Sequence, residues 1–248
     1  MFEYNRKKQI IAYLDNNSGA KITELAKELY CSEATIRRDL IALEQEGLVK
    51  RVHGGAVLSQ HQKAIFPYDV RESANIQAKE TIAYKAAELV HNGDTVMLDG
   101  FSSTTRRMCK YIKTRKNVKL ITNNYQIYDF FKGTSVTVFC TGGNYSMQSD
   151  CFEGFYTESF IHRFNADLHF FSATGISEDG FVAGKSIPVA GINTAMIHQS
   201  ERNYLLLDSS KINVKAPLVI CHANDLTGII CDEPIPEFKK NTKSFFTV

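Results

Sequence analysis

The sequence predicts an α/β protein in two parts. An N-terminal winged helix-turn-helix covers residues 1–58, and a larger, mostly parallel α/β domain covers 76–248, with a linker at 59–75. Three observations carry that expectation. Residues 21–58, KITELAKELYCSEATIRRDLIALEQEGLVKRVHGGAVL, hold two short amphipathic stretches and then two apolar runs around Gly54-Gly55. From about 76 onward, short apolar runs alternate with stretches of helical period. Between the two, SQHQKAIFPYDVRESAN has no clear period and contains Pro67, although Phe66 is expected to dock on the larger domain rather than stay in water.

In the N-terminal part, Ile10, Ile11 and Leu14 place a first helix that closes a three-helix core. Thr23 is the expected cap of the second helix, whose apolar face is Leu25, Ala26 and Leu29. Tyr30-Cys31 make the turn and Ser32 caps the third helix. Ile36, Leu40 and Leu43 recur at i, i+4 and i+7, so that face is buried. Gly47 is expected to end the helix as a C′ glycine. Leu48–Arg51 and Ala56–Leu58 flank a two-residue turn at Gly54-Gly55. Ser32, Thr35, Arg37 and Arg38 lie off the core stripe near the start of the third helix, and Lys50, Arg51 and His53 stand on the wing. In this geometry the first group meets base edges and phosphates in the major groove of double-stranded DNA. A plain surface helix hairpin explains the first two stretches, but not the added wing and the arginine pair.

A chain of 248 residues is long enough for a small domain and a medium one. Its 29 Lys+Arg against 27 Asp+Glu leave a net charge of +2, which excludes a strongly basic DNA-coating protein. Residues 1–58 hold nine Lys+Arg and eight Asp+Glu, so affinity for DNA has to come from the clustering of Arg37, Arg38, Lys50 and Arg51. Six scattered cysteines (Cys31, Cys109, Cys140, Cys151, Cys221, Cys231) show no Cys-x-x-Cys and no zinc spacing. They read as reduced, partly buried thiols, and neither a metal nor a cofactor is expected. The start of the chain has no apolar signal segment and no run reaches membrane-spanning length. The expected setting is the cytoplasm.

In the larger domain, helices are expected at 76–91, 104–113, 124–131 and 188–200, the last opened by Pro188. Strands are expected at Thr95–Leu98, Val118–Ile121, Val136–Cys140, Leu168–Phe171, Tyr204–Leu207, Val219–Cys221 and Gly228–Cys231. Ligands bind at the carboxyl ends of such strands. Five small polar loops follow those ends: Asp99-Gly100-Phe101-Ser102-Ser103-Thr104-Thr105, Thr122-Asn123-Asn124, Thr141-Gly142-Gly143, Ser172-Ala173-Thr174-Gly175, and Asp208-Ser209-Ser210-Lys211. Turn and cap chemistry accounts for any one of them. Five on one rim favour a small-molecule pocket. The first loop opens a helix, whose free N–H groups and hydroxyls suit a phosphate, and Lys211 adds a point charge.

At this point the chain resembles the DeoR family of bacterial sugar-responsive transcriptional regulators, over nearly its whole length. SEATIRRDL at 32–40 and LVKRVHGGAVL at 48–58 match that family's winged helix. The spacing Phe66, Arg71, Asn75, Lys79, Ile82-Ala83 follows its linker-to-sensor junction. The resemblance implies a sensor fold similar to sugar-phosphate isomerases. Its phosphate loop falls on Asp99 to Thr104, a Thr-Asn loop on Thr122-Asn123, a Gly-Gly loop on Gly142-Gly143 and an Asp-Ser-Ser-Lys motif on Asp208 to Lys211. Phe101 and the serines depart from the family's Gly and Thr. Ser172-Ala173-Thr174-Gly175 replaces Gly-Ala-Asp-Gly, and a basic residue expected near the start of the last long helix is replaced around Asn193-Thr194.

The implied function is a sequence-specific regulator that represses carbohydrate-metabolism genes and leaves its operator when a phosphorylated sugar binds. It is expected to be a homo-oligomer, dimer or tetramer, because paired half-sites supply specificity that one small module lacks. The alternative is an isomerase- or deaminase-like enzyme with a DNA-binding head. Moving protons along a sugar needs positioned carboxylates, His or Lys. With Thr174 where an acid is wanted, only Asp99 and Asp208 remain on the rim, so no catalytic residue is assigned.

Overall fold

The computed structural model describes the chain except residues 1, 18, 46–47, 59–70, 73–74, 148, 236–244 and 248. The expectations for Gly47, Phe66 and Pro67 lie outside the described residues. The chain divides into two compact units, Met1–Ala74 and Asn75–Val248.

Unit 1 runs α1 (Phe2–Asn17), β1 (Ala20–Lys21), α2 (Ile22–Glu28), α3 (Glu33–Gln45), β2 (Val49–Val52) and β3 (Gly55–Leu58). Its core gathers Ile10, Ile11 and Leu14 of α1, Leu25 of α2, the Ile36/Leu40/Leu43 stripe of α3, and Val49 and Ala56 of the wing. The helical period therefore selected the right faces. Two local expectations need correction. Thr23 lies inside α2, and Lys21 holds the cap position, its N–H donating to Glu24 Oε2 at 2.9 Å. The wing turn is His53-Gly54, because Val52 already pairs with Gly55. Gly54 has φ +76. Gly55 is a strand residue that must be glycine for another reason: a Cβ there would sit 2.3 Å from the carbonyl oxygen of Ala20. That close approach lets β1 add to the wing as a third strand, in the order β1-β3-β2.

Unit 2 runs α4 (Ile76–Glu88), β4 (Thr95–Leu98), α5 (Ser103–Ile112), β5 (Lys119–Thr122), α6 (Tyr125–Phe130), β6 (Thr137–Cys140), β7 (Asn144–Ser146), β8 (Cys151–Glu153), α7 (Phe155–Ile161), β9 (Ala166–Phe171), β10 (Gly175–Ile176), β11 (Phe181–Gly184), α8 (Ile187–His198), β12 (Ser200–Leu206), β13 (Leu218–His222), β14 (Gly228–Cys231) and β15 (Phe245–Thr247). Seven strands form one sheet in the order β15-β14-β12-β9-β4-β5-β6. Every pairing in it is parallel. Side chains alternate as a pleat requires. Val96, Leu98, Leu168, Phe170, Tyr204 and Leu206 pack under α4, α5 and α6. Met97 and Ile121 pack on the other face with Ile161 of α7 and Ile192, Ala195 and Met196 of α8. Phe171, Leu205 and Leu207 pack against Val182 and Ile220 of a small antiparallel sheet, β10-β11-β13.

The run at 219–221 is thus a strand, but of this second sheet and not of the parallel one. The β7-β8 hairpin and α7 carried no sequence signal: the strands are three residues each, and FYTESFI is apolar on more than one face. From β4 the chain moves outward to β5 and β6, then returns to the other side of β4 as β9. The strand order reverses between β4 and β9, where doubly wound sheets open a crevice.

A histidine is buried within the sheet. His169 of β9 is fully buried and stacked on Phe171 at 5.0 Å, and its Nδ1 lies 3.1 Å from Asn203 Oδ1 on the neighbouring strand. Burial pushes its pKa from 6.5 down to about 3, against a smaller upward effect of Asn203. The unfolded chain therefore takes up a proton below 6.5 that the folded unit refuses, and stability falls as pH falls. The lowered carboxylates Glu80 and Asp208 act only below their ordinary values of 4.5 and 3.8. Urea unfolding at pH 7.5 and pH 5.0 should show wild type losing about 2 kcal/mol over that step and His169→Gln losing clearly less.

Candidate functional site

The third helix begins at Glu33 because Ser32 caps it. Ser32 Oγ accepts from the Thr35 N–H at 3.2 Å and lies 2.8 Å from Thr35 Oγ1. The buried face is Ile36, Asp39, Leu40 and Leu43, which leaves Arg37 and Arg38 exposed. Arg37 Nη2 donates to Glu33 Oε2 at 3.1 Å, an exposed helical pair that is worth little and exchanges readily for a phosphate. On the wing, Arg51 donates to Glu44 twice, from Nε at 2.6 Å and from its backbone N–H at 3.0 Å. The backbone N–H first, then the side chain, holds the Glu44 carboxyl below its ordinary range. This clamp ties the wing to α3. Arg38 and Lys50 carry no ion pair among the described residues, and His53 sits exposed in the wing turn.

Asp39 was missed by sequence reasoning, although positions 36, 39, 40 and 43 share one helical face. It is 1% exposed and binds Arg6 of α1 through both carboxylate oxygens, Nη2 to Oδ1 at 3.1 Å and Nε to Oδ2. Asp39, the second acidic residue of the SEATIRRDL segment, thus joins α1 to α3 instead of facing solvent.

On the rim of unit 2, the polar loops converge but mostly bind one another. Asn123 Oδ1 accepts from the Gly100 N–H at 2.9 Å and its Nδ2 donates to the Phe152 carbonyl at 3.0 Å. Asn124 Oδ1 caps α6 through the Ile127 N–H at 3.0 Å, and its Nδ2 donates to the Asp150 carbonyl at 2.7 Å. Thr122 Oγ1 accepts from the Asn124 N–H at 3.3 Å. A Cβ on Gly100 would stand 2.5 Å from Asn124 Cβ, so the two loops touch only because residue 100 has none. Arg106, a second residue that sequence reasoning missed, lies among them. It donates to the Gly100 carbonyl at 3.1 Å, to Gln126 at 3.0 Å and to Asp150 at 3.3 Å.

The expected free N–H groups at the start of α5 are also partly taken. Ser102 Oγ accepts from the Thr104 and Thr105 N–H groups at 3.1 and 3.2 Å, while Ser103 and Thr104 are buried beside it. Asp99 is buried; its Oδ1 accepts from the Phe101 N–H at 2.9 Å. Gly142 accepts from Thr157 Oγ1 at 2.8 Å, and Gly143, at φ +113, leaves no room for a Cβ beside that hydroxyl. Thr174 donates its N–H to Ala183, and Gly175 opens β10 against Val214. The departures noted in the sequence point inward: Phe101 is core, and Asn193 is fully buried in α8.

The remaining polar cluster lies at the end of β12. Asp208 is buried and accepts from Asn75 Nδ2 at 2.9 Å and from the Ser210 hydroxyl. Burial raises its pKa, but the charge of Lys211, the Ser210 hydroxyl, the charge of Lys79 and Asn75 outweigh that, and the carboxyl ends below its ordinary value. Lys79, on α4, is itself 4% exposed. Lys211 Nζ reaches across to the Ala173 carbonyl after β9 at 3.3 Å. Ser209 is held by Asp232 through its N–H at 2.7 Å. Two lysines thus surround one ionised aspartate. Lys79 entered the sequence reading only as part of a junction spacing, because it lies more than a hundred residues away from its partner.

Residues 6–62 match the DeoR-like helix-turn-helix domain and residues 74–233 the DeoR C terminal sensor domain. The HTH-type transcriptional regulator GolR of Listeria innocua is 33% identical over 236 residues, covering 95% of this chain and 92% of that protein. The L-fucose operon activator of Haemophilus influenzae is 30% identical, covering 94% and 93%. The lactose phosphotransferase system repressor of Staphylococcus epidermidis is 27% identical, covering 100% and 99%. Among solved structures, ribose 5-phosphate isomerase from Plasmodium falciparum overlaps 54% of this chain and 52% of that one, with 17% identity and a TM-score of 0.38.

Removing Asp39 leaves Arg6 without its buried carboxylate. Asp39→Ala should destabilise unit 1 by about 3 kcal/mol, the low end for such pairs because Arg6 keeps some solvent. The unit 1 transition in a melting curve should move down while the unfolding of unit 2 stays in place.

Proposed function

The chain belongs to the DeoR family of DNA-binding transcriptional regulators, and we propose that it represses carbohydrate-metabolism genes and leaves its operator when a phosphorylated sugar reaches unit 2. Repression is the role printed in the names of two similar proteins, a lactose phosphotransferase system repressor and a putative aga operon transcriptional repressor. The observation that carries the effector class is the Asp208 cluster. Lys79 and Lys211 both act on one carboxylate at the end of β12, and an anionic group can draw on the same two cations. The hydroxyls and glycines of the rim, with Thr174, suit the sugar.

The DNA-contacting set is Ser32, Thr35, Arg37 and Arg38 on α3 with Lys50, Arg51 and His53 on the wing. Arg38 and Lys50 supply the uncompensated charge, Arg37 exchanges its weak partner for phosphate, and the clamped Arg51 sets the angle of the wing. A homo-oligomer on paired half-sites and a cytoplasmic setting complete the proposal. No helix of the described residues is long and apolar enough to cross a membrane.

Catalysis gains no support from the rim. A general acid needs a pKa near the working pH, and Asp208 is held below its ordinary value.

Operator DNA located by genome-wide mapping of bound sites allows two tests. In a gel-shift titration, Arg38→Ala should weaken operator binding by tenfold or more and Arg37→Ala by less, with unchanged melting curves; unchanged affinity in both would contradict the interface.

With a panel of sugar phosphates, the active one should release wild type from the operator, a coupling of about 1–3 kcal/mol. Lys211→Ala should keep near-normal operator affinity and lose that release. A Lys211→Ala protein that responds as wild type does would place the effector elsewhere.

A further inference from the structure

The β7-β8 hairpin and the first turn of α7 carry large apolar side chains into solvent. Tyr145 and Met147 are 45% and 87% exposed, Phe155 and Tyr156 77% and 72%, and Ile187 at the start of α8 76%. Packing gathers them at one end of unit 2. A Cβ on Gly154, which precedes α7, would stand 3.5 Å from Asn144 Nδ2 of β7. Helices α7 and α8 run side by side in the same direction: Glu158 meets Gly191, and at the far ends His162 Nδ1 lies 3.4 Å from Gln199 Nε2. Phe155 and Ile187 therefore stand at matching ends of the two helices. The only charged residues of 144–157 are Asp150 and Glu153, and both are already bound within the chain. Asp150 accepts from the Tyr145 hydroxyl and from Arg106 at 3.3 Å, and Glu153 accepts from the Ser149 hydroxyl. Exposed rings elsewhere on unit 2 sit under polar groups: Lys132 lies 5.9 Å from Tyr128, Lys113 lies 4.9 Å from Phe130, and His222 stands edge-on to Phe181. Phe155 and Tyr156 meet each other at 5.7 Å, and among the described residues no cation covers either ring.

We propose that this patch is the face through which unit 2 binds unit 2 of a second copy of the chain, about a twofold axis. At roughly 200 Å² per large side chain, the five residues leave about 700 Å² in water. The largest apolar patch of an ordinary monomer is about 300–600 Å². A standard stable interface takes about 800 Å² from each partner, so the patch with its rim has the size of one half of a dimer contact. Its composition fits as well, because interface cores are rich in Tyr, Phe and Met and poor in charge. A twofold contact sets like against like. A segment whose two carboxylates are already bound meets its own copy without repulsion. The proposal rests on the homo-oligomer reading above and names the face that reading needs.

The test uses the full chain without DNA, in size-exclusion chromatography with light scattering over a concentration series. Phe155→Glu and Met147→Glu place a charge in the patch from two different elements, and an acidic residue in the first turn of α7 also suits the helix. Tyr128→Glu, on α6, changes an exposed ring outside the patch. Wild type should show at least twice the mass of one chain. Both patch variants should need about tenfold or more concentration to assemble, as loss of a central apolar contact implies. Below that concentration they should show half the wild-type mass with an unchanged circular dichroism spectrum, while Tyr128→Glu assembles as wild type does. Where one patch variant loses its spectrum, the other decides. With a benzoylphenylalanine in place of Phe155, illumination should join two chains. A wild type that stays at the mass of one chain overturns the proposal together with the homo-oligomer reading. A wild type that assembles, with both patch variants assembling equally well, overturns the face and leaves that reading standing. So does equal loss of assembly in Tyr128→Glu. A crosslink confined to one chain also overturns the face, since another segment of the same chain then covers the patch.

Discussion

A sheet whose seven strands all run the same way can be connected only by crossovers, and this constraint organises unit 2. The crossovers from β4 to β5, β5 to β6, β6 to β9 and β9 to β12 each carry a helix, and each returns the chain to the same edge. Every carboxyl end therefore lies on one rim. Asp99, Asn123, Gly142, Ser172 and Asp208 are spread over more than a hundred residues, yet topology alone makes them neighbours. The reversal of order between β4 and β9 then opens the crevice, since no crossover helix covers the gap between two strands that the chain leaves in opposite directions.

A rim of short loops brings its own difficulty, because buried backbone groups there have no ladder to join. Asn123 and Asn124 solve it. Each side-chain amide both donates and accepts: Asn123 joins the Gly100 loop to β8, and Asn124 caps its own helix while donating to the Asp150 carbonyl. The missing Cβ at Gly100 permits the approach. The same residue types that suit a sugar therefore hold the wall of the site. The charged cluster at Asp208 differs from this wiring: its members come from the start of α4 and the end of β12, and two lysines there act on one carboxylate.

Unit 1 handles charge in pairs. Asp39 with Arg6 joins two helices in the interior, and Glu44 with Arg51 joins the wing to α3. Both pairs act on the angle at which α3 and the wing are presented, and both lower the charge available to DNA. A module balanced this closely cannot hold DNA tightly through bulk attraction. Selectivity then falls to the few groups that the pairs leave uncompensated.

The sequence alone determined the periods, and through them the faces. The α3 stripe, the alternation of Val96, Met97 and Leu98, and the order of helices and strands follow from side-chain spacing, which is a local property of the backbone. Local spacing also sufficed to mark Ser32 as a cap, and held an unread sign that Asp39 is buried. It did not reach the β7-β8 hairpin, the β1 strand at Gly55 or the separate sheet of β13, because strand pairing depends on partners distant in the chain. Nor could it tell a ligand-facing asparagine from a structural one, since both look alike until the opposite loop is in place. Lys79 and Asn75 show the same limit most clearly. Nothing in their own neighbourhood points to Asp208, 129 and 133 residues further on. Only the folding of α4 beside the end of β12 brings them together, where a buried carboxylate needs cations and donors to remain charged.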